Sequence, residues 1–198
     1  MIELYSYIIE NIYQFLGVVF SIIYVLFSIR QNILCWPSLI FAAILNMFAY
    51  HLIDLPLQVF MQLFFIGTAI YGWYNWHKGG NNEPIKITSW SNKNHLTWIC
   101  LGGTGTLILT IILKQFSAFE ILHSNYPFLD SLMFIFNIIP MYMTGKKILE
   151  SWLYFIFIDI ISGLFYLITG EFFFSFLFFC YIGFATYGYI TWKKNSIC

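Results

Sequence analysis

A single carboxylate in an apolar segment is the first feature of this sequence that can do chemistry. Asp159 lies in the stretch FIFIDIISG, and helical spacings of three, four or seven place four side chains on its face: Trp152, Phe155, Ser162 and Tyr166. Aromatic rings beside one negative charge can bind an aromatic cation, because cation–π attraction adds about 1–2 kcal/mol when water is excluded. The alternative is a protonated Asp159 that is hydrogen-bonded to a neighbouring helix.

A second polar stripe also follows helical spacing. It contains Gln58, Gln62, Phe65, Ala69 and Trp73. An amide can both donate and accept hydrogen bonds, so Gln62 is a candidate for contact with a polar ligand. The alternative is an interhelical hydrogen bond, typically worth about 0.6 kcal/mol in membranes.

Further polar and aromatic residues extend this set of candidates. Asn46 has the same two possible roles as Gln62. Trp76 lies where interfacial anchoring is the usual role of tryptophan. Trp73 is predicted to contact the substrate. Asp130 and Asn137, seven positions apart, are candidates for the lining of an outer vestibule.

The composition shows what kind of elements must position these residues. The chain has 198 residues, of which 60% are hydrophobic and only 9% charged, whereas soluble domains carry about 25% charged residues. This excludes a surface that faces water throughout. Seven stretches approach the roughly 20 apolar residues of a membrane-spanning helix: 12–29, 36–53, 56–76, 96–113, 126–143, 152–169 and 171–192. The sequence therefore predicts an all-α integral membrane protein with seven transmembrane helices.

The positive charges predict the orientation of these helices. With seven crossings, eight of the nine lysine and arginine residues fall on one side, and Lys114 falls on the other. Short cytoplasmic loops are enriched in these residues. We therefore expect the N-terminus outside, the C-terminus in the cytoplasm, and cytoplasmic loops at 30–35, 77–95 and 144–150.

An internal repeat organises the chain. When residues 30–78 are aligned with 146–194, a shift of 116, 13 of 49 positions are identical without a gap, including Trp36/Trp152 and Tyr50/Tyr166. Two parallel three-helix repeats, 1–78 and 117–198, are predicted, with a cytoplasmic linker at 79–95 and a connecting helix at 96–116. Transporters built in this way bind substrate between the repeats, near the middle of the membrane.

Two segments carry a resemblance to a known family. The stretches QLFFIGTAIYGWYNW (62–76) and FLDSLMFIFNIIPMYMTGKKILESWLYFIFIDIIS (128–162) resemble the Pnu family of bacterial vitamin transporters, in particular its PnuC-type nicotinamide riboside transporters. The resemblance implies a 3+1+3 helix arrangement similar to SWEET proteins, a homotrimer in the bacterial inner membrane and facilitated diffusion. Gln62 matches the family's substrate-contacting glutamine. Asp159 and Phe155 depart from the Asn and Trp of many nicotinamide riboside transporters.

The predicted function is facilitated diffusion of a vitamin-type NAD precursor, with nicotinamide riboside as the leading substrate and thiamine as the alternative. A more remote alternative is an intramembrane enzyme, but Asp159 lacks the second carboxylate that hydrolysis would need. The spacing of cysteine and histidine residues indicates no metal site. We expect no cofactor and no nucleic-acid partner; the expected partners are the vitamin, the lipid bilayer and other copies of the chain.

Overall fold

A computed structural model of the protein describes residues 11–53, 55–78, 85–115 and 124–196. Within these ranges the chain forms seven α-helices: α1 (Ile12–Ile29), α2 (Cys35–Leu52), α3 (Pro56–Lys78), α4 (Asn92–Gln115), α5 (Pro127–Gly145), α6 (Ser151–Thr169) and α7 (Phe172–Ser196). The predicted all-α fold is confirmed. The expected boundaries differ mainly at the ends, because α4 begins at Asn92 and α7 continues to Ser196.

Membrane-spanning character is clear for most of these helices. Among the described residues, six helices are long and apolar enough to cross a bilayer. The remaining helix, α3, has 23 residues but carries Gln58 and Gln62 in its first half. Both glutamines are buried, so they turn into the bundle rather than towards lipid. The membrane crossing of α3 therefore stays a prediction that is supported by its length and its packing.

The helix packing reflects the sequence repeat. Helix α1 packs on α2 and α7, α3 on α2 and α5, and α6 on α5 and α7. The 116-residue offset makes α1 equivalent to α5, α2 to α6, and α3 to α7. The contact between α1 and α7 is therefore equivalent to the contact between α5 and α3. Helix α4 packs on α5, outside this equivalence. The pattern is the one that the predicted 3+1+3 arrangement requires, and that arrangement stays an interpretation.

The repeated Tyr-Gly and Trp residues have a packing role. A Cβ atom added to Gly72 would lie 2.2 Å from the Trp36 ring, so the glycine lets the indole of α2 lie directly on the backbone of α3. Trp76 then meets the Trp36 ring edge-on, with the ring centroids 5.1 Å apart. The second repeat has the same arrangement, formed by Trp152, Gly188 and Trp192. The motif recurs because it joins the second and third helix of each repeat.

The predicted linker is partly described. Residues 79–84 of the 79–95 segment, and residues 1–10, 54, 116–123 and 197–198 of the predicted repeats and connecting helix, lie outside the described residues. Thr88 pairs with the loop between α5 and α6, since its N–H donates to the Lys147 carbonyl at 3.0 Å and its carbonyl accepts from the Leu149 N–H at 2.8 Å. The Glu150 carboxylate also accepts hydrogen bonds from the Ser89 hydroxyl and the Trp90 N–H. The end of the linker is thus fastened to the second repeat.

Candidate functional site

A cavity in the interior of the bundle collects most of the residues that the sequence singled out. Five of the seven candidates line it: Asn46, Gln62, Trp152, Phe155 and Asp159. The other two lie elsewhere. Tyr166 is buried behind the cavity wall, where it stacks on the lining residues Tyr50 and Phe178 at centroid distances of 6.3 and 5.4 Å. Trp73 is 43% exposed on the outer side of α3, beside Tyr74 and His77.

The cavity lies between the two halves that the repeat relates. Fourteen of its twenty lining residues form seven pairs of equivalent positions, 116 residues apart: Ser21/Asn137, Val25/Met141, Leu39/Phe155, Ala43/Asp159, Met61/Leu177, Gln62/Phe178 and Phe65/Tyr181. Each half therefore contributes the same helix positions to the wall.

The side chains at equivalent positions differ in polarity, and this gives the cavity its chemistry. Asp159 corresponds to Ala43, and Gln62 corresponds to Phe178. Since one member of each pair is apolar, the shared helix packing does not itself require a carboxylate or an amide there. The two halves form a similar scaffold that carries different polar groups on its two sides.

Gln62 has an acceptor that the protein leaves free. Its side chain is 2% exposed, and Nε2 donates to the Gln58 carbonyl at 3.2 Å. Its Oε1 has no hydrogen-bond partner in the described part of the chain. A buried acceptor without a partner costs about 1–3 kcal/mol. A ligand hydroxyl or amide N–H in the cavity can supply the missing donor.

Asn46 is held more closely by the protein. Its Nδ2 donates to the Ser21 hydroxyl at 3.2 Å. Its Oδ1 has no hydrogen-bond partner among the described residues, but it lies against Gly17, where an added Cβ would be 2.0 Å away. The contacts of this amide tie α2 to α1, so it has a packing role as well as a place on the cavity wall.

Asp159 is a buried acid without a counter-charge. It is 2% exposed and forms no ion pair with any described residue. A charged side chain at such depth in a membrane costs several kcal/mol unless a partner or a water-filled space is present. Asp159 lines the central cavity, and a cationic ligand bound there would provide the partner.

Aromatic layers flank the cavity towards both ends of the bundle. One layer lies on the side of the lysine-rich loops, which are the loops at 30–35 and 144–150 with Arg30, Lys146 and Lys147. It contains the four tryptophans of the repeated motif, and Trp152 reaches the cavity itself, 6.3 Å from the Phe155 ring. On the opposite side, Tyr50 stacks on Phe174 at 4.4 Å. The cavity between these layers has a volume of only about 80 Å³. A larger ligand therefore requires the aromatic side chains to move apart.

Several lining residues were not selected from the sequence. Tyr24 and Tyr181 line the cavity, and the Tyr24 hydroxyl lies 3.5 Å from the Met141 sulfur. Tyr181 could have been found from the repeat, since it is equivalent to Phe65 on the polar stripe of α3. Asn137 lies in this central cavity, not in the vestibule expected for it, whereas Asp130 lines a separate cavity at the opposite end of the bundle from Lys146 and Lys147.

The family follows from comparison with known sequences. The profile described as nicotinamide mononucleotide transporter matches residues 11–194. The chain belongs to this family. The Escherichia coli nicotinamide riboside transporter PnuC is 24% identical over 155 residues, which are 66% of this chain and 65% of that protein. The chain thus matches slightly less than two thirds of that relative's length.

Two other proteins are similar over more of the chain. The riboflavin/roseoflavin transporter RibM of Streptomyces davaonensis is 21% identical over 185 residues, which cover 91% of this chain and 84% of that protein. A crystal structure of the vitamin B3 transporter PnuC superimposes with a TM-score of 0.82 and 17% identity, covering 98% of this chain and 86% of that one. At this identity the structural likeness shows that the two proteins share a fold.

Proposed function

We propose that the protein carries nicotinamide riboside, a vitamin-type NAD precursor, across the bacterial inner membrane by facilitated diffusion. The observation that carries the proposal is the central cavity between the equivalent halves. In it, the Gln62 amide oxygen and the Asp159 carboxylate, neither paired with a described residue, lie beside aromatic side chains. The name of the relative from Escherichia coli supports this substrate.

The cavity matches the chemistry of the proposed substrate. Nicotinamide riboside has a positively charged aromatic ring, which can stack on Trp152 or Phe155 and be neutralised by Asp159. Its ribose hydroxyls and carboxamide can donate to the Gln62 oxygen that no described residue occupies. Removing the substrate charge from water is costly, and a nearby carboxylate in a medium of low dielectric constant offsets that cost.

Thiamine is the second candidate substrate. It also carries a fixed positive charge on an aromatic ring, and Asp159 and Phe155 depart from the residues of many nicotinamide riboside transporters. Riboflavin, which RibM is named for, is neutral and would leave Asp159 without a counter-charge. An intramembrane enzyme finds less support, because the chain belongs to a transporter family and Asp159 has no second acid beside it in the described cavity wall.

Transport requires the cavity to open to each side in turn. The aromatic layers on either side of the cavity are the obvious gates, because each is contributed by both repeats. Rocking of one three-helix unit against the other would separate one layer while the other stays packed. No hydrolysis or cofactor is needed for such movement when the substrate runs down its own gradient.

Orientation and assembly form part of the same proposal. The distribution of positive charge supports an outside N-terminus and a cytoplasmic C-terminus. The homotrimer is proposed from the family resemblance. Helix α4 packs on α5 and otherwise exposes apolar side chains such as Leu101, Leu107 and Ile111, which suit contact with lipid or with a second copy.

A panel of ligands tests the substrate. The purified protein is titrated calorimetrically with nicotinamide riboside, thiamine, riboflavin and nicotinamide. We expect nicotinamide riboside to bind most tightly and nicotinamide, which lacks the ribose and the fixed charge, to bind at least about tenfold more weakly. Tighter binding of thiamine would make thiamine the substrate in place of nicotinamide riboside. Binding of none of the four would overturn the proposed function.

A further inference from the structure

A second cavity lies at the end of the bundle opposite the lysine-rich loops. It has a volume of about 220 Å³ and lies among the ends of α2, α3, α5, α6 and α7. Its described lining carries two acids, Asp130 and Glu171, together with Gln58 and the aromatic side chains of Tyr126 and Phe165. It is separate from the central cavity, because the two have no lining residue in common.

Asp130 has a free oxygen at this cavity. It is 5% exposed, and its Oδ2 accepts a hydrogen bond from the Ser124 hydroxyl. Its Oδ1 has no partner within the described ranges. Glu171 accepts a hydrogen bond from Gln14 Nε2 at 3.3 Å, and no described lysine or arginine pairs with either acid. The described lining of the cavity is therefore acidic and contains no lysine or arginine.

Gln58 gives an independent sign that a ligand belongs here. It is 1% exposed, lines the cavity, and finds a partner for neither Oε1 nor Nε2 among the described residues. Buried amides are normally hydrogen-bonded. A molecule in the cavity with its own donor and acceptor would satisfy both amide atoms.

The repeat shows that helix packing does not require the two acids. Position 130 is equivalent to Gln14 in the first repeat, and position 171 is equivalent to Leu55. Both acids lie at helix N-termini, where the helix dipole favours negative charge. That local effect explains why acids are tolerated there. It does not account for the buried, unpartnered Gln58 or for the aromatic wall, in which Tyr126 meets Phe165 edge-on at 5.4 Å.

We propose that this outer cavity is an entry subsite that captures an organic cation with an aromatic ring and an amide-like substituent before it reaches the central cavity. The two carboxylates attract the positive charge, the Tyr126–Phe165 wall contacts the ring, and Gln58 pairs with the substituent. The layer formed by Tyr50 and Phe174 lies on the way to the central cavity. This inference deepens the proposed function and relies on it for the direction of travel.

The test measures the charge preference of the cavity directly. Leu55, on the cavity wall, is replaced by cysteine in a chain whose native cysteines are alanine. A cationic and an anionic methanethiosulfonate reagent are compared, and each rate is divided by its rate with a free thiol. We expect a cationic preference of at least about tenfold, since clefts lined with one sign of charge concentrate counter-ions by 10–10³.

Charge variants decide the origin of that preference. The double change Asp130→Asn and Glu171→Gln should remove it, whereas Asp130→Glu, which keeps the charge, should retain it. If the double variant does not fold, Asp130→Asn alone should lower the preference by several-fold. An unchanged cationic preference in the double variant, or in Asp130→Asn if only that variant folds, would overturn the proposal.

Protection identifies the kind of cation. The probe 1-methylnicotinamide, an aromatic cation with a carboxamide, should slow labelling, while potassium at the same concentration should not. Equal protection by potassium would overturn the aromatic subsite and leave a simple ion site. Because labelling needs no transport, failure of nicotinamide riboside uptake would overturn the proposed function without changing this result. Gln62→Ala, in the central cavity, should leave the charge preference unaltered.

Discussion

Lys147 donates a hydrogen bond of 3.1 Å from Nζ to Gln31 Oε1, and these two residues occupy the same position in the two repeats. Both have left-handed backbones, with φ of 54° and 52°, just after α1 and α5 end. Residues other than glycine seldom adopt this conformation. Lys147 also lies 4.6 Å from the centroid of the Trp76 ring. The contact therefore joins the two repeats beside the tryptophans at the lysine-rich end.

Removing this contact should loosen that end of the protein. Lys147→Gln deletes the charge, the hydrogen bond to Gln31 and the cation–π contact with Trp76. We expect the free energy of unfolding to fall by about 1.5–3 kcal/mol, the usual range for a hydrogen bond to a charged group. The exposed neighbour Lys146 is the control, since Lys146→Gln removes an equal charge and a cation–π contact with Tyr142 of its own repeat. Thermal unfolding in detergent measures both; equal losses would contradict a joining role for Lys147.

The same lysine predicts a pH dependence. Burial lowers the pKa of Lys147 from its ordinary value of 10.5. The unfolded chain then binds more protons than the folded chain between the lowered pKa and the ordinary one, so stability rises with pH in that window. Lys147→Met should lack this contribution, and the difference in unfolding midpoint between the two proteins should widen in favour of the wild type as pH increases towards about 10. If the difference in unfolding midpoint between the two proteins did not change with pH, the pKa of Lys147 would not be lowered by burial.

The glycine of the repeated motif offers a test of the packing. An added methyl at Gly72 would lie 2.2 Å from the Trp36 ring, whereas Gly67 on the same helix has no atom within 4 Å of such a methyl. Overpacking costs about 1–3 kcal/mol. We expect Gly72→Ala to lower stability by that amount, and Gly67→Ala to leave it unchanged or raise it slightly. Similar melting temperatures for the two variants would show that the indole does not rest on the glycine.

Gln62→Ala tests the amide contact in the central cavity. The change removes the free acceptor and should weaken binding of nicotinamide riboside about tenfold, since a ligand group left without a partner costs about 1–3 kcal/mol. Trp73→Ala is the comparison, because Trp73 lies on the same stripe of α3 but outside the cavity. Calorimetric titration of both folded variants gives the dissociation constants. If Gln62→Ala binds as tightly as the wild type, Gln62 does not contact the substrate.

Asp159→Asn separates recognition of charge from packing. The change keeps the size and hydrogen-bonding capacity of the side chain and removes its negative charge. We expect several-fold weaker binding of cationic nicotinamide riboside and little change for its neutral, reduced form, because only the cation gains from a nearby carboxylate. Paired titrations measure the ratio of the two affinities. The same ratio in both proteins would leave stacking on Trp152 and Phe155 as the source of selectivity.

The sequence predicted the central cavity better than its surroundings. Helical spacing placed Asp159, Phe155 and Trp152 on one face, and the repeat indicated which helices would meet there. The same spacing placed Trp73 on the Gln62 stripe, but eleven residues of helix rise about 16 Å, which carries Trp73 beyond the cavity. Helical spacing also does not indicate how deeply a side chain is buried in the bundle. It therefore predicts Tyr166 as a binding residue, although Tyr50 lines the cavity and Tyr166 stacks behind it. No sequence pattern predicts the left-handed turns at Gln31 and Lys147, because neither residue is glycine or asparagine.

The most direct measurement of the central claim is uptake of labelled nicotinamide riboside by proteoliposomes without ATP or an ion gradient. The internal concentration should rise to the external one and stop there, and unlabelled nicotinamide riboside inside the vesicles should speed entry of the label. Asp159→Asn and Gln62→Ala should each raise the half-saturating concentration by several-fold to about tenfold. Uptake no faster than in protein-free vesicles would contradict the account.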